Sequence, residues 1–416
     1  MQKQNKILLS LFSSIFVAMI ALAISADGWQ ASWQGFLWLQ IQPARLLNDF
    51  FALAGIGATL LNSVAVGILA VALILFFKIQ LSGPTFAAIF TILGFGLFGK
   101  TVLNILPIFL GVYFASKVMR ISFQEYAIIA LFGTAIGPLI SFIAFELGFA
   151  GLTGIIIGSA AGVVAGFFLP AIAIAMLHMH QGYNLYNIGL TTGFLGLFAT
   201  GLIRASGLQL PAQMNWFSES SLLLSMIVPV ISLILILVGT IFGRRDAWIA
   251  LWKIQSHSGR LPSDFMQKES MEGALINAGL IGLIGSTYVW LVQGDFNGPV
   301  IGGLFTIIGF ATFGTHLKNS WSILLGIICS ALLFGKALNA PGPILAAIFG
   351  TTLAPLAGQF GAVTGFIAGF LHLVMVLQTG SWHGGMSLYN NGFAGGLTAT
   401  LIVAYIQWYQ NRKYNK

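Results

Sequence analysis

Two stretches of this chain gather side chains able to do chemistry. His180-Gln181-Gly182-Tyr183-Asn184-Leu185-Tyr186-Asn187-Ile188-Gly189, closed by Gly193, returns as His383-Gly384-Gly385-Met386-Ser387-Leu388-Tyr389-Asn390-Asn391-Gly392, closed by Gly396. The shared pattern is H-x-G-x-x-L-Y-N-x-G-x-x-x-G. An imidazole near neutral pH donates from one ring nitrogen and accepts at the other, while Tyr and Asn add donors and acceptors without charge. His180, Tyr186 and Asn187, with His383, Tyr389 and Asn390, can therefore replace the water shell of a small polar solute while compensating an ion poorly. The motif glycines allow helices or a solute to approach the backbone closely. A structural role competes, with Tyr and Asn cross-linking helices and His capping a helix end, and duplication suits either.

Other chemistries find no residues. There are no paired carboxylates, no H-E-x-x-H, no phosphate-binding loop ending in Lys-Ser/Thr and no nucleophile elbow. Within the apolar runs only Glu146 stands out, so no enzyme is expected. A lipid-directed intramembrane enzyme would need Glu146 beside a motif histidine. His178 and His372 lack equivalents in the other half, and without carboxylate or thiolate partners they imply neither metal nor cofactor. Cys329 is the single cysteine, which excludes an internal disulfide and a CxxC motif, and it reads as a small buried apolar residue. The net charge of +8 does not imply nucleic acid, because Lys and Arg cluster in a few short polar stretches, as in the cytoplasmic loops of polytopic proteins.

The elements that must position these residues lie in a bilayer. Hydrophobic residues make up 57% of the 416 and charged residues 7%, against about 25% charged in a soluble domain. The apolar segments are too long and too little alternating for a barrel. The expected fold is all-α, a polytopic integral membrane protein with ten to fourteen transmembrane helices. Residues 1–26 imitate a secretory signal peptide but read better as an uncleaved first helix.

An internal repeat organises the chain. A displacement of 215 residues puts Gly83-Pro84 on Gly298-Pro299, Asn62 on Asn277, Asn104 on Asn319, and the Gly-Phe-x-x-Phe-Gly block at 94–99 on that at 309–314. Phe132-Gly133-Thr134 then matches Phe349-Gly350-Thr351, and after about fourteen extra residues in the first half a glycine ladder leads into the motif. The boundaries read as a first helix and outer loop at 1–49, repeat one at 50–205, a linking helix and basic loop at 206–268, repeat two at 269–406 and a tail at 407–416. Lys3 and Lys6, the cluster Arg244, Arg245, Lys253, Arg260 and Lys268, and the tail with Arg412, Lys413 and Lys416 would all be cytoplasmic by the positive-inside rule. Repeat one then starts and ends outside and repeat two inside, which makes the repeat inverted. The protein is expected in the cell membrane, multi-pass, with both termini cytoplasmic.

Several apolar segments are too short to span. Residues 84–99 and 101–116, and 299–314 and 320–335, are about sixteen residues each, roughly 24 Å of helix against a hydrocarbon core of about 30 Å. Short segments opened by Gly83-Pro84 and Gly298-Pro299 predict broken or re-entrant helices meeting near the midplane, where irregular backbone survives only inside protein or beside a wet cavity. Ser82 and Asn297 are candidate caps, and Asn104 and Asn319 secondary path residues. His316 and Lys318 are expected in a solvated turn.

With these motifs in place, most of the chain resembles a bacterial membrane family of unknown function, domain of unknown function 1576, through the Leu-Tyr-Asn-x-Gly motifs at 185–189 and 388–392 and the Gly-Phe-x-x-Phe-Gly blocks. That resemblance implies a polytopic membrane protein without an assigned activity. The chain is also similar, more faintly, to urea transporters, in Asn297-Gly298-Pro299 and Tyr389-Asn390-Asn391-Gly392, with one residue intervening in each motif. The expected function is a channel or secondary transporter for a small neutral or weakly basic polar solute. An ion- or proton-coupled transporter or metal-ion carrier is the alternative. The expected partners are the bilayer and the solute, with no nucleic acid; a homo-oligomer is compatible with the sequence.

Overall fold

The Gly and Pro breaks in the apolar runs divide the chain into helices that a computed structural model describes for residues 3–210, 214–219 and 221–414. The first half holds α1 (Lys3–Asp27), α2 (Trp29–Leu39), α3 (Phe50–Phe76), α4 (Gly83–Phe95), α5 (Val102–Met119), α6 (Phe123–Gly133), α7 (Gly137–Phe145), α8 (Gly151–His180) and α9 (Asn187–Ala205). The second holds α10 (Leu222–Ile254), α11 (Phe265–Lys268), α12 (Met271–Leu291), α13 (Gly298–Phe310), α14 (Leu317–Leu333), α15 (Pro341–Phe349), α16 (Ala354–Phe360), α17 (Ala362–Trp382) and α18 (Asn390–Tyr414). A 3-10 turn joins α6 to α7 and another joins α15 to α16. Among the described residues there is no strand, and ten helical segments are long and apolar enough to cross a membrane, so the protein is an all-α polytopic membrane protein.

The halves correspond beyond the limits expected from sequence. α1 ends at Gly28, whose φ of 74° opens α2 at Trp29. α10 kinks at Arg244, the equivalent of Trp29 under the 215-residue displacement, with φ 49°. The first helix and the linking helix are thus one element seen twice. α1 packs along α3 as α10 packs along α12.

Inversion is visible where the halves touch. α4 and α13 lie side by side with Gly94 against the backbone of Gly302 and Gly309 against that of Ala87. The residue number falls along one helix as it rises along the other, so equivalent helices run antiparallel about a two-fold axis across their middle. Phe90 and its equivalent Phe305 meet near that axis at 5.8 Å between ring centres. A Cβ at Gly94 would stand 2.6 Å from the Gly302 carbonyl oxygen, so the crossing requires glycine. Every residue of α13 is buried, and so is every residue of α4 but Pro84, which accounts for helices apolar on all faces.

The loops at the tips of the α4–α5 and α13–α14 hairpins close in the same way twice. Asn104 accepts from Thr101 N at 3.0 Å and donates to Gly99 O at 2.9 Å. Asn319 accepts from His316 N at 2.8 Å and donates to Gly314 O at 3.0 Å. Asn62 donates to Gly96 O and Lys100 O, and Asn277 to Ala311 O and Thr315 O. His316, expected in a solvated turn, is buried instead, because the loop before α11 folds over it and its Nε2 meets His257 O at 2.8 Å.

Candidate functional site

Each copy of the duplicated motif follows a long helix and turns the chain into the next. The turns use positive φ at Gln181 and Gly182, and at Gly384 and Gly385. Within each turn the histidine and asparagine bond to one another: His180 Nε2 to Asn187 Oδ1 at 2.9 Å, and His383 Nε2 to Asn390 Oδ1 at 3.1 Å. Asn187 then donates to Ala173 O and Asn390 to Val376 O, both at 3.1 Å. The pairs therefore pin the start of α9 to α8 and the start of α18 to α17. Both histidines are buried, and neither lines a described cavity.

The two copies meet. Gly189 and Gly392 face each other so closely that a Cβ on either would lie within 2.9 Å of the other's Cα. The motif of each half also docks on the broken span of the other: Leu185 N donates to Thr352 O at 2.9 Å, and Leu388 N to Ala135 O at 3.0 Å. The sequence blocks Phe132-Gly133-Thr134 and Phe349-Gly350-Thr351 are thus sockets for the opposite motif.

Between the copies stand Tyr186 and Tyr389, with ring centres 5.3 Å apart. Tyr186 packs on Phe310 at 4.3 Å and Phe349 at 6.1 Å; Tyr389 packs on Phe95 at 4.7 Å and Phe132 at 6.3 Å. Three symmetry-related pairs of rings thus form one box on the axis. Thr351 and Thr91 stand beside the phenol hydroxyls, yet neither hydroxyl makes a hydrogen bond of acceptable geometry. Buried hydroxyls without partners are rare enough to need a reason.

A cavity of about 390 Å³ reaches this box from one face of the bundle, lined by Ile128, Phe132, Ile174, Leu177, Leu185, Tyr186, Asn187, Phe310, Phe313 and Tyr389 among others. It shares Pro84, Ile128, Pro262 and Ser263 with a more polar vestibule of about 600 Å³ bordered by Lys78, Gln80, Ser82, Gln124, Asp264 and Lys268. Ile174 on α8 is 51% exposed, so the cavity also has a mouth toward the apolar surroundings. Of the sequence candidates, Tyr186, Asn187, Tyr389 and Pro84 border the cavity; His180, His383, Asn390, Asn104, Asn319, Gly83, Gly298 and Pro299 do not. On the opposite face the equivalent wall is covered by residues 214–217, where Asn215 bridges Asn48, Trp216 Nε1 donates to Asp295 at 2.8 Å and Phe217 O accepts from Asn297.

Sequence reasoning missed two carboxylates. Asp49 caps α3 through Phe51 N at 2.9 Å and reaches across to Gly298 N at 3.1 Å and Phe217 N at 3.3 Å. Asp264, displaced by 215, caps Gln267 N at 3.2 Å and reaches across to Gly83 N at 3.3 Å. Each half thereby caps the Gly-Pro helix of the other, a favourable use of negative charge at a helix N-terminus. Burial pushes the Asp49 carboxyl up to about 7, against the pull of its backbone donors from Phe51, Gly298 and Phe217. Burial also raises Asp264. The 215-residue displacement was the signal that could have found this pair.

Glu146 forms an ion pair with Arg45 at 2.8 Å. His372 bonds Asn391 at 3.1 Å, and among the described residues no group of three or more His, Cys, Asp or Glu could hold a metal.

The chain belongs to the family described as Protein of unknown function (DUF1576), whose model matches residues 29–205 and 244–408. The two matched stretches are the two halves, beginning at the equivalent positions Trp29 and Arg244. No curated protein and no solved structure matches the chain.

Proposed function

We propose that this family member is a membrane transport protein that exposes a site on its internal two-fold axis to the two sides of the bilayer in turn. The carrying observation is the cavity that reaches Tyr186 and Tyr389 from one face, while residues 214–217 cover the equivalent wall on the other. In an inverted repeat, exchanging the conformations of the halves opens the covered side and closes the open one. By the positive-inside rule, Lys78 and Lys268 at the vestibule make the open face cytoplasmic.

The lining adjusts the solute class inferred from sequence. The His–Asn pairs are already bonded to each other, and the walls are Ile, Leu, Phe and Pro with the two phenols at the end. Such a cavity favours an amphipathic solute with an apolar body and one polar group over urea or ammonia. A proton-coupled mode is the second reading. It is favoured by Asp49, a buried carboxyl that titrates near neutrality and binds residues of the covered face.

Equivalent positions provide the test. Ser263 lines the open cavity and Asn48 is its counterpart on the covered face. In a Cys329→Ala background carrying Ser263→Cys and Asn48→Cys, a bulky maleimide on position 263 should slow labelling of position 48 from the opposite side of sealed vesicles by about tenfold or more, because one side can be open only when the other is closed. Independent labelling of the two positions would reject alternating exposure.

A further inference from the structure

Around the axis the two halves match in their aromatic rings, and among their differences one places a lysine. Lys100 sits on the tip loop between α4 and α5, where the other half has Thr315. The Lys100 side chain is fully buried, and its Nζ has no hydrogen-bond or ionic partner. The nitrogen lies 5.0 Å from the centre of the Phe95 ring, and Phe95 also carries the Tyr389 ring at 4.7 Å. Attraction to a ring face recovers only part of what an ammonium loses on leaving water. Of the acidic residues on the neighbouring segments, Glu146 is already paired with Arg45, and Asp49 accepts from the backbone N–H groups of Phe51, Phe217 and Gly298. An unpaired cation inside a membrane protein is retained at a cost and marks a ligand or a path.

The unpartnered groups are of one kind. The amino group of Lys100 and the hydroxyls of Tyr186 and Tyr389 are all able to donate, and all lie on or beside the same aromatic box. What completes such a set is an acceptor bearing negative charge, attached to a body that suits the apolar cavity. We propose that Lys100 receives the anionic head group, a carboxylate, sulfonate or similar oxyanion, of a small amphipathic solute. This inference rests on the transport reading and names its substrate class. The Phe95 wall is the covered counterpart of the Phe310 wall, so the head group meets Lys100 as that side opens and meets only the Thr315 hydroxyl on the side now open. The halves then differ in anion affinity, strong at Lys100 and weak at Thr315.

Benzenesulfonate, which is permanently charged, and benzenesulfonamide, its neutral isostere, both fit the volume of the cavity. Calorimetric titration of the purified full chain in detergent should show the sulfonate binding about tenfold or more tighter than the sulfonamide, the scale of a charge-assisted hydrogen bond. Lys100→Met should erase that preference while leaving sulfonamide affinity within about twofold, and Lys100→Arg should keep part of it. Equal sulfonate binding by Lys100→Met and wild type overturns the assignment, as does a wild type that binds sulfonate no better than sulfonamide. Anion discrimination in a protein whose positions 48 and 263 label independently would leave the Lys100 site standing and remove alternating exposure. Reciprocal labelling without discrimination would do the reverse.

Discussion

Asp49→Ala and Asp264→Ala remove equivalent carboxyl groups, yet their costs should differ in a way the geometry dictates. Asp49 is fully buried and serves three N–H groups, two of them from the opposite half or the covering segment. Loss of an N-cap costs about 1–2 kcal/mol, and each of the two further buried N–H groups left without an acceptor about 1–3 kcal/mol, which puts Asp49→Ala at about 3–8 kcal/mol. Asp264 is partly exposed, and its cross-half contacts to Gly83 N are 3.3 Å long. Water can replace it, so Asp264→Ala should cost only the cap, about 1–2 kcal/mol. Unfolding of the two variants in detergent, followed by tryptophan fluorescence at pH 6, measures the difference. An Asp264→Ala protein as damaged as Asp49→Ala would refute the claim that burial of the cross-half cap sets its worth.

The same carboxyl makes a pH prediction of definite sign. Burial holds the Asp49 carboxyl in the folded protein at about 7, above its ordinary 3.8, so the folded state retains the proton more tightly than the unfolded one. Its contribution is therefore full below about pH 4 and is lost as pH rises through about 7. Asp49→Asn, which cannot ionise, should flatten the decline between pH 4 and 8; an unchanged slope would count against it. Tyr186→Phe and Tyr389→Phe remove hydroxyls without partners and should change stability by less than about 0.5 kcal/mol, while weakening the benzenesulfonate titration. Gly392→Ala, forced against the Gly189 Cα, should cost about 1–3 kcal/mol in the same unfolding assay. In the Cys329→Ala background, oxidising an Asn48→Cys/Asn215→Cys pair should tie residues 214–217 over the covered face and hold the open cavity reactive to maleimide at Ser263→Cys.

Much of this architecture was legible because duplication marks residues whose backbone role tolerates little change. The Gly-Pro openings, the Asn104 and Asn319 loop closures and the Tyr-Asn-x-Gly turns all stand at equivalent positions and all serve a helix terminus or a tight crossing. The α1 and α10 correspondence was hidden because a lipid-facing helix requires only apolarity and length, so its sequence drifts while its place is kept. Asp49 and Asp264 carried the right displacement but no local motif, since their partners lie in the other half. Lys100 escaped for the opposite reason: a search for what the halves share cannot find what only one of them has. The His–Asn pairs show the limit of reading polar side chains in an apolar chain, because spacing indicates that two groups can meet and not whether they spend their bonding on each other.

The crossed caps bear on how such a chain can exist in pieces. A single half made alone would keep its own cap at Ser82 or Asn297 but leave the first N–H of its Gly-Pro helix, at Gly83 or Gly298, without the aspartate that accepts it, its own aspartate pointing at a partner that is not there. Two copies of that half inserted in opposite senses would supply both missing carboxylates at once. Fragments 1–210 and 214–416, co-expressed, should therefore assemble where either one by itself is degraded.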